Sequence, residues 1–164
     1  MAREATARQF DVDEDSVVLK RLTHTGSYDR GTITFKAKKG KLISLDKLHE
    51  SLWATRLSGG TKSGLLRLDV TAIGQVVTTG EETILRVTGS KEHFVLADDP
   101  KAKPKDGQKT VYQKMLAATA GGQTVRSVTG RLDGWSGLWP KVLRKLPPQP
   151  RRILVTGYTV VNEK

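Results

Sequence analysis

From Leu65 onward the chain breaks into five short runs of strand character, over 65–77, 82–88, 93–97, 125–132 and 152–161. Apolar residues alternate with polar ones in several of them, which is the period of a half-buried strand. The triplet Val-Thr-Gly recurs at 87–89, 128–130 and 155–157, each time ending or interrupting a run. Glycine inside a strand weakens it unless a bulge or a tight bend needs the missing Cβ. The spacings of 41 and 27 residues are unequal, so the triplets are not a sequence repeat. This pattern constrains the fold to a strongly bent antiparallel sheet, or to a small barrel.

The first half reads differently. Residues 16–22 form a first strand, 24–31 a polar turn, and Thr32 to Lys36 a second strand. Ser44 is a good N-cap and Asp46 suits the positive end of a helix dipole. Leu45, Leu48, Leu52, Trp53 and Leu57 then mark one stripe of a helix, which Gly59 closes. A second helix spans 110–120 and ends at Gly121-Gly122, and a short third one spans 140–146 before Pro147-Pro148. The expected fold is α+β: a small β–α–β layer over 16–74 continuing into a basic, β-rich part over 75–164. The latter is a bent sheet or a partly open barrel of the oligonucleotide-binding type, with two short helices. The run 65–77 joins the two parts, which share one core in this reading. Residues 1–15 lack periodicity and read as a flexible acidic arm.

Composition narrows the chemistry. The 164 residues contain no cysteine, which removes disulfides, thiolate nucleophiles and cysteine metal sites. No apolar run reaches the roughly 18 residues that cross a bilayer. The N-terminus has no signal-peptide core, so the chain reads as soluble, in the cytoplasm or exported after removal of a signal. Net charge is +11 and unevenly spread. Residues 1–16 hold two bases against five acids, whereas residues 101–164 hold thirteen bases against three acids, a net of +10. Such an excess favours a polyanion: nucleic acid, an anionic surface or an acidic protein surface.

The basic residues form three groups. Lys36, Lys38, Lys39 and Lys41 surround one turn; Lys101, Lys103, Lys105 and Lys109 line a Pro/Lys-rich connector; Lys141, Arg144, Lys145, Arg151 and Arg152 surround the third helix and its exit. Trp135 and Trp139 precede that helix, where they serve either as stacking platforms for bases or as buried anchors. Catalytic signals are sparse. The loop Ser58 to Gly64 has Thr61, not glycine, before Lys62, and a strand follows it, so it is a connection and not a phosphate-binding loop. His24, His49 and His93 have no metal-ligand spacing. Asp46 and His49 lie three apart on a helix, and Asp98-Asp99 is an adjacent carboxylate pair; either set is the only seed of a hydrolase-type site.

Residues 32–74, T-I-T-F-K through G-K-L-I-S-L-D-K-L-H-E-S-L to L-L-R-L-D-V-T-A-I-G, resemble the second half of a heavy-metal-associated, ferredoxin-like domain. Members of that family place an x-L-D-x-L-x-x-x-L helix after a strand and a turn. The family's Cys-x-x-Cys is missing, with His24-Thr25-Gly26 near its place, so the resemblance implies no metal site. The leading expectation is a non-catalytic binding module without a cofactor. Its basic C-terminal half contacts a polyanion, with single-stranded nucleic acid the specific candidate. The residues expected to make that contact are Lys101, Lys103, Lys105, Lys141, Arg144, Lys145, Arg151, Arg152, Trp135 and Trp139. The alternatives are an accessory protein built on a degenerate metal-associated domain, and a hydrolase using Asp46/His49 or Asp98/Asp99.

Overall fold

The computed structural model describes residues 10–25, 28–39, 41–54, 67–133 and 151–161. The chain is α+β and divides into two compact units, Met1–Ser63 and Gly64–Lys164. In the first, β1 (Val18–Thr25) and β2 (Tyr28–Thr34) form an antiparallel two-stranded sheet, followed by α1 (Leu45–Ala54). Thr25 faces Tyr28, so only Gly26 and Ser27 separate the strands. The polar turn expected over 24–31 is therefore mostly strand. Pairing overrides composition here, because each polar residue still finds a ladder partner across the hairpin.

Residues 10–15, expected to belong to a flexible arm, are tied down. Val12 is fully buried and bridges Ala37, and it packs with Val17 against Phe10, Phe35 and Ile43. The Phe10 and Phe35 rings stack with centroids 6.3 Å apart. Asp13 caps a 3₁₀ turn at Glu14–Ser16, and its backbone N–H donates to the Lys36 carbonyl. Two apolar residues among the acids suffice, because Asp11, Asp13, Glu14 and Asp15 all point to solvent.

The second unit is a closed five-stranded barrel. Its strands are β3 (Asp69–Thr79), β4 (Glu82–Val87), β5 (His93–Ala97), β6 (Val125–Asp133) and β7 (Arg152–Val160), in the order β3-β4-β5-β7-β6. All pairings are antiparallel except β5 with β7. Helix α2 (Val111–Ala120) crosses from β5 to β6 and packs on β6 and β7. Leu85, Phe94, Leu96, Val128, Leu132, Ile153 and Val155 fill the barrel, and Met115 from α2 is fully buried. The unit boundary falls at 63/64 rather than 74/75, because β3 finds its hydrogen-bond partners in β6 and β4. Strand and helix of the run 32–74 thus belong to the first unit, and its last strand to the barrel.

Glycine closes this barrel at two points. β3 pairs with β6 through Ile73 and with β4 from Gly74 onward. At that switch a Cβ on Gly74 would stand 2.0 Å from the Arg86 carbonyl oxygen. At Gly130 it would stand 2.2 Å from the Leu154 oxygen. Gly130 also follows an irregularity in the β6–β7 register, where Thr129 faces Gly157 and Gly130 faces Val155. Two of the Val-Thr-Gly triplets therefore meet at one bulge, and the third ends in the β4–β5 turn with Gly89 at φ 75°.

Gly74→Ala and Gly130→Ala should each lose about 1–3 kcal/mol or more of unfolding free energy in urea, because the added methyl meets backbone that cannot step aside. Gly107→Ala meets no atom within 4 Å and should lose only about 1–2 kcal/mol, from its left-handed φ alone. Met115→Ala should cost about 2–5 kcal/mol by leaving a cavity under α2.

Candidate nucleic-acid interface

Side chains alternate along β4 and β5, so one set fills the barrel and the other faces outward. Leu85, Phe94 and Leu96 point in. Their neighbours Ile84, Arg86, His93 and Val95 make the outer face, on which Arg86 stands opposite His93 and Ile84 opposite Val95. Val95 is in turn opposite Arg152 on β7, which faces Asp133 on β6. Basic and apolar groups thus share one surface, with Arg86 and His93 exposed and Ile84 and Val95 half-buried.

An open cleft of ≈ 290 Å³ lies on this surface, lined by Lys91, Glu92, His93, Val95 and Arg151. Backbone bonds hold its rim. The Val95 N–H donates to the Arg151 carbonyl at 3.0 Å, the Val87 N–H to the Glu92 carbonyl at 3.1 Å, and the Glu92 N–H to Ser90 Oγ at 2.9 Å. The Arg151 guanidinium donates to Glu92 Oε1 at 3.4 Å, and that of Arg152 to Asp133 Oδ2 at 2.7 Å. The structure therefore brings Arg151 and Arg152 to one end of β5 and gives each a carboxylate. Lys91, Glu92, His93 and Arg86 join them. Sequence reasoning missed these four, since single charges in short turns and strands stand out only once the strands are paired.

Lys101, Lys103, Lys105 and Lys109 follow the other end of β5. Their connector is a loop with closed ends. Thr110 Oγ1 donates to Asp98 Oδ2 at 2.8 Å, and Arg131 on β6 donates to Asp99 Oδ1 at 3.1 Å. Asp99 Oδ1 also accepts the Lys101 N–H at 2.9 Å. Compact loops whose ends meet in this way commonly carry function. All four lysines are exposed, with no carboxylate within ion-pair distance among the described residues. Asp98 and Asp99 thus serve as the clasp of this loop; Asp98 Oδ1 is buried with no hydrogen-bond partner among the described residues.

Trp135, Trp139, Lys141, Arg144 and Lys145, the Ser58 to Gly64 loop and the expected helix over 140–146 lie outside the described residues, as do the side chains of His24, His49 and Trp53. Asp46 is exposed on the first turn of α1, and Lys36, Lys38, Lys39 and Lys41 are exposed in the first unit. Among the described residues no three His, Cys, Asp or Glu side chains converge as metal ligands, and no helix is long and apolar enough to cross a membrane. The Asp69 carboxylate raises the Arg67 pKa by hydrogen bond and then by charge, but the pair is exposed and adds little stability.

Thr110 is the residue on which the lysine loop turns. Its hydroxyl accepts the Gln113 N–H to cap α2 while donating to Asp98, and the Gln113 side chain returns a bond to the Thr110 N–H. Thr110→Ala should cost about 1 kcal/mol in thermal unfolding. It should also speed tryptic cleavage after Lys101, Lys105 and Lys109, and Thr110→Ser should restore both.

No family model, curated protein or solved structure matches the chain, so what the barrel does rests on its own geometry.

Proposed function

We propose that the barrel unit is a non-catalytic module that binds single-stranded nucleic acid across the outer face of β4 and β5. The observation that carries this reading is the place of the cationic cleft. It is lined by the turn between the second and third barrel strands, by the third strand, and by Arg151 at the described end of the connection between the fourth and fifth. Small Greek-key barrels of the oligonucleotide-binding type use that surface and that connection to take up extended polymers. The analogy is one of fold, and the chemistry of the residues has to support it independently.

It does so in three ways. Lys91, Arg151 and Arg86 supply charge for phosphates, which contribute most of such affinity. His93 and Arg86 present flat groups on which an unpaired base can stack, over the apolar Ile84 and Val95. The Lys101–Lys109 loop adds charge at the other end of β5, and in sequence the β6–β7 connection contains Trp135, Trp139, Lys141, Arg144 and Lys145. Stacking on such aromatics is worth ~1–3 kcal/mol per base and tolerates any sequence.

Fluorescence anisotropy with a labelled thymidine oligomer of about 15 nucleotides is the direct test. Log affinity should fall linearly with log salt, losing about 0.7 per phosphate contact. Arg86→Ala and Lys91→Ala should each flatten that slope by about one contact, and a duplex of equal length should bind more weakly. A flat salt response, or equal affinity for the duplex, overturns the reading.

A further inference from the structure

Among the described residues, three arginine–carboxylate pairs join separate segments of the barrel unit, and they are not equivalent. Arg131 meets Asp99 at 3.1 Å and Arg152 meets Asp133 at 2.7 Å. Arg151 meets Glu92 at 3.4 Å, near the limit of a hydrogen bond, with 28% and 41% of the two side chains exposed. Glu92 is also the sole carboxylate among the described residues lining the cleft. Its backbone is held by Val87 and Ser90, and that of Arg151 by Val95, so the two side-chain ends can separate while the backbone stays in place.

From this we infer that Glu92 is an anion gate. It occupies Arg151 while the cleft is empty and yields it to an entering phosphate. The inference rests on the nucleic-acid reading above and adds a specificity-determining residue to it. The physics is a competition between two anions for one guanidinium. A loose, exposed carboxylate pair is weak. A phosphate can offer the planar guanidinium two parallel, charge-assisted bonds. The exchange is therefore favourable for a ligand that seats its phosphate in the cleft. For a monovalent anion, or a strand held only by distant lysines, Glu92 remains a repulsive charge. Selectivity built from a repulsive element in this way costs affinity and gains discrimination.

The test is a double-mutant cycle read by anisotropy with the same thymidine oligomer. Glu92→Gln keeps size and polarity and removes the charge. It should tighten binding about threefold to tenfold at ~0.05 M salt, with the gain shrinking as salt screens the pair. Asp15→Asn removes an exposed charge of the first unit, outside the barrel, and should change affinity by less than about twofold. In an Arg151→Ala background the Glu92→Gln gain should fall by at least half, since the group competed for is gone. Circular dichroism melts of all variants confirm that each is folded. Unchanged or weaker binding by Glu92→Gln, an equal gain from Asp15→Asn, or a full gain without Arg151 overturns the gate and leaves the nucleic-acid reading standing. No binding by either the unsubstituted protein or Glu92→Gln removes both.

Discussion

The barrel depends on one close approach of backbone to backbone, at Gly74 against the Arg86 carbonyl. In the closed barrel β3 has a neighbour on each edge, β6 along its first half and β4 along its second, and it bends sharply between the two. It leaves β6 at Ile73 and joins β4 at Gly74. Any side chain at the bend would push β4 away and open the cylinder. The bulge at Gly130 does the same on the neighbouring strand, where β6 must curl along β7. Closure removes the sheet edges that would otherwise invite pairing with other chains. It also sets the outer surface of β4 and β5 as a convex wall on which alternate side chains must face water.

That alternation explains the electrostatics of the candidate site. A strand in a small barrel has no freedom to choose which residues are exposed once its inward set is filled. With Leu85, Phe94 and Leu96 inside, Arg86, His93 and Val95 are forced out. The barrel then uses charge in two distinct ways. Arg131, Arg152 and Arg151 are drawn to carboxylates on neighbouring segments, where they hold register and clasp the connector. The lysines of that connector meet no such partner among the described residues, on a loop whose ends are tied by Asp98 and Asp99. Counting basic residues does not separate those that meet a carboxylate from those that meet none among the described residues.

The first unit shows where reading by composition stops. The acids of residues 11–15 conceal Val12, a single buried residue with two aromatic neighbours on its side of the cluster. The polar stretch 24–31 conceals most of a hairpin, because backbone pairing needs no apolar side chain to proceed. Both errors have one cause. Local polarity reports solvent exposure, and a strand or an ordered segment can be exposed and still hydrogen-bonded throughout.

By itself the sequence determined the strand runs of the second half, the helix at 110–120, the bends marked by glycine, the absence of thiol chemistry and the excess of positive charge. These follow from local propensity, from the special freedom of glycine and from composition, which need no partner to be read. Tertiary structure alone decided that β3 belongs to the barrel, that β5 and β7 run parallel, and that Arg151 and Arg152 face Glu92 and Asp133. Strand pairing joins residues up to about sixty positions apart, and its register is set by mutual fit of two distant segments. No window of sequence contains both sides of that fit.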